Sequence, residues 1–383
     1  MEKEMPEISI VLPCQNEEQA LPFCLRKIKE IIEKNKLSAE IIVSDSSFDK
    51  SPAIAQREGV ILVKHDQPGY GRALLEGFKK ARGKYIFFAD ADGTYDFSEI
   101  PRFIEELKRG YDLVIGNRFT GRMEKNSMPF LRKYIGNPFF SFLFKFFFGI
   151  KIKDPHSGIR ALKKEILKKL DLQTNDMEFA SEMIIKAKKN NLKIKEISTS
   201  YFCRKGRSKL KNFAHGWQHL KLILVYSPFF IFFLPGILLL FSGFFFLFYF
   251  YFFSPYFFGI KFFYHPMFIF SLMVLIGYQL IFFALFAKIY SLFLFKEKNK
   301  NFEKILKFLT IEKGIFFGLF FILFGLLIYL FVLSEWLKFH FSPLLETKRA
   351  IIGFTFISLG VQTIFSSFML SILLLKKNDR DIH

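Results

Sequence analysis

Two hydrophobic patterns divide the chain. Up to about residue 210, short apolar or β-branched runs recur as ISIVL (8–12), EIIVS (40–44), VILVK (60–64), KYIFFAD (84–90) and YDLVIG (111–116). Between them, near 17–34, 49–57, 71–82 and 97–109, apolar residues recur at helical spacing. Strand runs alternating with helical ones predict an α/β fold with a mainly parallel sheet. Functional residues of such sheets collect just past the carboxyl ends of strands. Polar clusters fall there at 13–17, 45–49 and 90–96.

From Pro228 the alternation gives way to Phe, Leu and Ile. Four runs, 229–253, 267–287, 315–333 and 351–375, each approach the roughly 20 apolar residues a helix needs to cross about 30 Å of hydrocarbon. Two shorter stretches read as interfacial. FFSFLFKFFF (139–148) is too short to span and contains Lys145, and KNFAHGWQHLKLILVY (211–226) mixes Lys, His and Trp with apolar residues. His215 and His219 are expected to face that interface. The predicted organisation is a catalytic α/β domain over 1–210, a juxtamembrane segment over 211–228 and a four-helix membrane domain over 229–383.

Charge orients this arrangement. The gap between the second and third runs carries Lys288, Lys296, Lys298, Lys300, Lys304, Lys307 and Lys313, whereas the gap at 254–266 carries only Lys261. By the positive-inside rule the Lys-rich gap is cytoplasmic. Lys376, Lys377 and Arg380 agree, and four crossings then put the N-terminal domain and the C-terminus in the cytoplasm. No signal peptide is expected, since the only early apolar run covers residues 8–12. Cys14, Cys24 and Cys203 share no CxxC spacing, which suits a reducing compartment and argues against zinc. The net charge of +20 is explained by anionic lipid headgroups rather than nucleic acid, because the cations lie largely beside the apolar runs.

Within this basic chain, FFADADGTYD (87–96) concentrates acid. A buried strand delivers Asp90 and Asp92 to one rim, and Gly93 lets the chain turn away. Carboxylates at alternate strand positions point the same way and repel unless a cation sits between them. A hard divalent ion, Mg²⁺ or Mn²⁺, suits such ligands and completes its shell with substrate phosphates and water. Asp90 and Asp92 are the expected metal ligands, with Asp96 a candidate helix cap.

VLPCQNEEQALP, IVSDSSFDKS, HDQPGYGRALLEGFKKARGKYIFFADADGTYD, GNRF, DPHSGIRAL and RKGRSKL occur in an order that resembles family 2 glycosyltransferases. The set is similar to the polyprenyl-phosphate hexose synthases, the group containing dolichyl-phosphate mannose synthase, over about residues 6–210. The four apolar runs are similar to those of its longer microbial members. The resemblance implies a GT-A-like domain that moves one hexose, with inversion, from a nucleotide diphosphate sugar of the GDP-mannose or UDP-glucose type to a polyprenyl (dolichyl or undecaprenyl) monophosphate. It further implies that Pro13, Gln15, Glu17, Asp45, Asp90, Ala91 and Asp92 hold the nucleotide sugar, and that Arg118 and Arg132 hold the lipid phosphate or the diphosphate. Two departures stand out: Gly93 and Thr94 follow the acidic pair where relatives often carry Leu and Gln, and Gln15 stands where relatives commonly stack a Tyr.

The chemistry agrees with an anionic acceptor. A sugar hydroxyl needs a general base, whereas a lipid phosphate is already ionised and needs only cations to position it. Arg118, Arg132, Arg204, Arg207 and Lys209 are the candidates, with Ser157 on the same acceptor side and Asp92 and Arg118 as the expected catalytic pair. His156 reads as a turn residue, and Glu178 and Glu182, four apart on one helical face, either position the sugar or form a solvated face. The alternatives are a processive polysaccharide synthase, a transferase acting on a lipid-linked oligosaccharide, or a domain decayed into a binding module. The synthase resemblance lacks its QxxRW motif, the nearest string being GWQHL. An oligomer built through the membrane helices is left open.

Overall fold

The first strand, β1 (Ile8–Cys14), is buried along its whole length, a condition that only the centre of a sheet covered on both faces satisfies. The computed structural model describes residues 5–206, 212–253, 255–257, 260–295, 310–338 and 346–378. They form two compact units, Met1–Tyr226 and Ser227–His383.

In the first unit β1 pairs in parallel with β2 (Ala39–Asp45) and β4 (Tyr85–Phe88), and β2 pairs in parallel with β3 (Ile61–Lys64). β5 (Leu113–Asn117) pairs in parallel with β7 (Ile194–Ser198), and β6 (Arg160–Lys163) lies between β4 and β5, antiparallel to both. The resulting order is β3-β2-β1-β4-β6-β5-β7 in a seven-stranded sheet. The GT-A-like arrangement is therefore mixed only where β6 is inserted. Being antiparallel, β6 starts at the rim where β4 and β5 end, so the residues just before it share that rim with Asp90.

Period-two alternation builds the two cores. Ile8, Ile10, Leu12, Tyr85 and Phe87 face α1 (Leu21–Lys34) and α4 (Ile100–Lys108), whose Leu25, Ile28, Phe103 and Leu107 share that cluster. Val11, Ile86 and Phe88 face the other way, toward Leu74 and Phe78 of α3 (Tyr70–Lys80; α2 is Ser51–Arg57). The same cluster takes in Phe144 of α5 (Asn137–Phe148) and, beyond the short α6 (Leu167–Leu170), Phe179 of α7 (Phe179–Lys189).

The two stretches expected at the interface are two-faced helices of this unit. Phe140, Leu143 and Phe144 of α5 are buried, whereas Phe139, Phe142 and Phe146 are exposed. In α8 (Asn212–Tyr226) His219 and Ile223 are buried while Trp217 and Val225 are exposed. The correction for His219 has a simple cause: it lies on the helix face that packs toward α5.

The second unit contains four apolar helices, Pro228–Phe252, His265–Phe295, Ile311–Lys338 and Thr347–Asn378, each long and apolar enough to cross a membrane. They run past the apolar stretches because helix continues through their polar flanks. Arg207 and Lys209 lie outside the described residues, as do the gap cations Lys296, Lys298, Lys300, Lys304 and Lys307, and Arg380. Small residues let the backbones approach: a Cβ on Gly277 would lie 2.5 Å from the Leu240 nitrogen and 2.7 Å from the Gly236 oxygen. Hydroxyls join the second and fourth helices, Ser271 to Thr355 at 2.6 Å and Tyr278 to Thr363 at 2.7 Å. Gly277→Leu overpacks a backbone contact, so the detergent-solubilised protein should lose about 1–3 kcal/mol in this unit. Thermal unfolding checks this, and Gly216→Ala in α8, which meets nothing within 4 Å, should by contrast cause no loss of stability.

Candidate active site

The carboxyl ends of β1 and β4 and the start of β6 open onto a cavity of about 680 Å³. Pro13, Gln15 and Glu17 line it from the β1 loop, Asp90, Ala91, Asp92 and Thr94 from the β4 loop, and Arg118, Arg132, Ser157 and Arg204 from segments distant in sequence. All expected site residues within the described chain therefore meet in one place except Asp45, which is not among the lining residues. Asp45 is fully buried, and its carboxylate accepts from the Ser47 hydroxyl at 2.5 Å and the Ser47 amide at 3.2 Å. Ser47 Oγ in turn accepts from the Asn16 amide at 2.6 Å, so Asp45 shapes the β1 loop from behind.

Asp90 and Asp92 differ sharply in their surroundings. Asp92 Oδ1 accepts from the Thr94 hydroxyl at 2.6 Å and the Thr94 amide at 3.1 Å, and Oδ2 accepts from Arg204 at 3.0 Å. Arg204 also pairs with Glu17. Asp90 packs against Gly158, where a Cβ would lie 2.4 Å from Oδ2; only glycine fits. Burial, and then the Asp92 charge, push the Asp90 carboxyl up to about 7. Among the described residues no group of three or more His, Cys, Asp and Glu is placed to hold a metal. The acidic pair therefore fits a divalent ion only as a partial cage, of the kind that substrate phosphates and water complete. Thr94 acts on Asp92, and Asp96 caps the following turn by accepting from the Ser98 amide at 2.9 Å.

The basic side of the cavity is organised around a buried ion pair. Arg118 donates from Nε and Nη2 to the two Asp154 oxygens, both at 2.7 Å, and its amide donates to Oδ2 at 3.0 Å. Burial opposes the guanidinium charge, but Asp154 outweighs it and keeps Arg118 protonated well beyond its usual range. Arg118 also lies 5.0 Å from the centre of the Tyr201 ring. It is thus a held cation with one fork committed to the protein. Arg132, half-buried nearby, lines the same wall.

Two readings change here, those of Glu182 and His219, and His156 sits in a turn as expected but also lines the cavity. Glu182 is fully buried, not solvated: it pairs with Lys186 at 2.8 Å and accepts from the Gln173 and Thr174 amides and the Thr174 hydroxyl. It fixes the loop that supplies Asp176 and Met177 to the cavity. Glu178 is half-buried and lies outside the lining. His156 and His219, one expected in a turn and the other at the interface, both line the cavity, with ring centres 4.0 Å apart. Pairwise spacing hid this contact, because the two residues come from different elements.

The family model described as glycosyl transferase family 2 matches residues 9–171, and that of the glycosyltransferase family 2 C-terminal transmembrane region matches 285–374. The low-salt glycan biosynthesis hexosyltransferase Agl6 of Haloferax volcanii is 32% identical over 95% of this chain and 88% of its own length. The chain belongs to glycosyltransferase family 2. A dolichyl-phosphate hexose transferase of the same organism is 30% identical over 55% of this chain and 89% of its own. The dolichol-phosphate mannosyltransferase of Pyrococcus furiosus is 29% identical over 54% and 59%, respectively. With its transmembrane region and four apolar helices, this family 2 glycosyltransferase is a membrane protein.

Two outcomes follow from the site of this glycosyltransferase. A folded carboxyl near 7 against an ordinary value of about 3.9 means that the folded state binds the Asp90 proton more tightly. Its stability therefore falls as pH rises from about 4 to 7. In metal-free protein Asp90→Asn should raise the thermal midpoint at pH 8 and change it little below pH 4. Asp154→Ala strands the Arg118 charge in the interior and should destabilise the domain by about 3–5 kcal/mol, read as a lowered denaturant midpoint.

Proposed function

We propose that this glycosyltransferase moves a single hexose from a nucleotide diphosphate sugar to a polyprenyl monophosphate at the cytoplasmic face of the membrane, with inversion. The observation that carries the reading is one cavity lined by the acidic pair, with Arg204 on Asp92, and by the guanidinium groups of Arg118 and Arg132. Two anions need holding in such a reaction, a leaving diphosphate and an attacking phosphate. Asp90 and Asp92 would hold Mg²⁺ or Mn²⁺, which supplies charge neutralisation for the departing diphosphate. Pro13, Gln15 and Glu17 form the nucleotide side, with Asp45 bracing their loop.

Arg132 and the uncommitted edge of Arg118 receive the lipid phosphate, and Arg204 sits with the acidic residues, bonded to Asp92 and Glu17. Glu17 is paired with Arg204, and Asp154 with Arg118. Cavity carboxylates tied up in this way favour an acceptor that is already ionised and needs no proton removed. The dolichyl-phosphate transferases among the relatives support the same acceptor class. The Lys-rich gap supports a cytoplasmic site.

Asp92→Ala should lower sugar transfer at least about a hundredfold and abolish the thermal stabilisation of the purified protein by Mn²⁺ plus a nucleoside diphosphate. Full activity in that variant sinks the metal assignment. Arg132→Ala should raise KM for polyprenyl phosphate about tenfold and leave nucleotide binding intact. Steady-state rates at varied lipid concentration check it.

A further inference from the structure

The loop before β6 leaves two unsatisfied polar atoms in the cavity wall. His156 Nε2 and Ser157 Oγ are buried and have no hydrogen-bond partner among the described residues, and both residues line the cavity. His156 Nδ1 lies 3.1 Å from Asn137 Oδ1; since that oxygen only accepts, Nδ1 carries the proton and Nε2 a lone pair. His219 packs tilted against the ring, its own Nδ1 2.8 Å from the Ser181 hydroxyl, and Phe140 closes against both imidazoles. Burial, and then His219 and Arg118, hold His156 well below the usual imidazole range, and burial with His215 and Arg160 pushes His219 down to about 3. The packed pair is therefore uncharged at neutral pH.

A buried acceptor and a buried hydroxyl left without partners cost free energy in the empty protein. A phosphate oxygen has no proton to give a neutral imidazole and is better served by Arg118 and Arg132. A sugar hydroxyl donates to a lone pair and accepts from an O–H at once. The position fits as well. In chain order Asp154 grips Arg118, His156 and Ser157 follow, and Gly158 packs on Asp90, so the two orphans stand between the diphosphate end and the acceptor-phosphate end. That is where the group in transit must lie. We infer that His156 and Ser157 form the hexose subsite, binding hydroxyls of the transferred sugar and setting which sugar is accepted.

This inference rests on the donor reading above, and calorimetry on the full-length protein in detergent with Mn²⁺ separates the two. The probes are UDP, UDP-glucose, GDP and GDP-mannose. One nucleotide sugar should bind more tightly than its own nucleoside diphosphate. Ser157→Ala, which removes an oxygen bonded to nothing, and His156→Phe should each keep the nucleoside diphosphate affinity and lose about tenfold of the sugar-dependent advantage. The inference is overturned if both variants keep that advantage, if they weaken both ligands equally, or if the parent protein shows no such advantage. Failure of the parent to bind either nucleoside diphosphate overturns the donor reading itself.

Discussion

Two carboxylates held two positions apart at the end of a buried strand set the terms for the rest of the active site. Neither can move away: YIFF is buried between two helical layers, and Gly158 presses its backbone against Asp90. Their repulsion is met in two ways, by Arg204 reaching Asp92 and by Asp90 retaining its proton to about pH 7. Both responses are reversible. A cation brought in with a diphosphate can take over the compensation, leaving Arg204 to face the incoming phosphates.

The opposite end solves the inverse problem. Arg118 is buried, and a buried guanidinium is tolerated only when paired. The bidentate contact with Asp154 supplies the pair and fixes the direction of the guanidinium plane. Asp154 is itself positioned by the β6 loop, whose amides at Lys153 and Asp154 donate to Glu196. One antiparallel strand thus ties the acidic and basic halves together: its leading loop touches Asp90 at Gly158 and Arg118 at Asp154. The spacing of the acidic pair from the Arg118–Asp154 pair is thus set by the sheet.

Much of this was legible in the sequence because it depends on local pattern. The first five strands, the acidic pair at the end of one of them and the four apolar helices all follow from period, length and turn residues. The basic residues were legible as a set, but their individual roles were not. Arg118 looks like Arg132 in sequence; only the fold shows that one spends a fork on Asp154. Glu182 carries an acid on a helix with Lys at i+4, the pattern of a solvated face, and is buried because the 171–176 loop closes over it. His156 and His219 belong to a turn and a juxtamembrane helix, 63 positions apart, and no spacing rule relates them. Asp45 was correctly read as a strand-end acid, yet it acts through Ser47.

Under the proposed function the membrane helices give the chemistry its setting, since an acceptor carrying a polyprenyl chain would be confined to the bilayer. Glycine contacts and interhelical hydroxyl pairs make them a packed unit in their own right. The central claim, transfer of one hexose to a lipid phosphate, is tested most directly by weighing the product. Membranes containing the protein, Mn²⁺, a polyprenyl phosphate and a panel of nucleotide sugars should yield a lipid heavier by a single hexose and labile to mild acid. Long polymer, or sugar attached only to an existing lipid-linked oligosaccharide, would contradict the account.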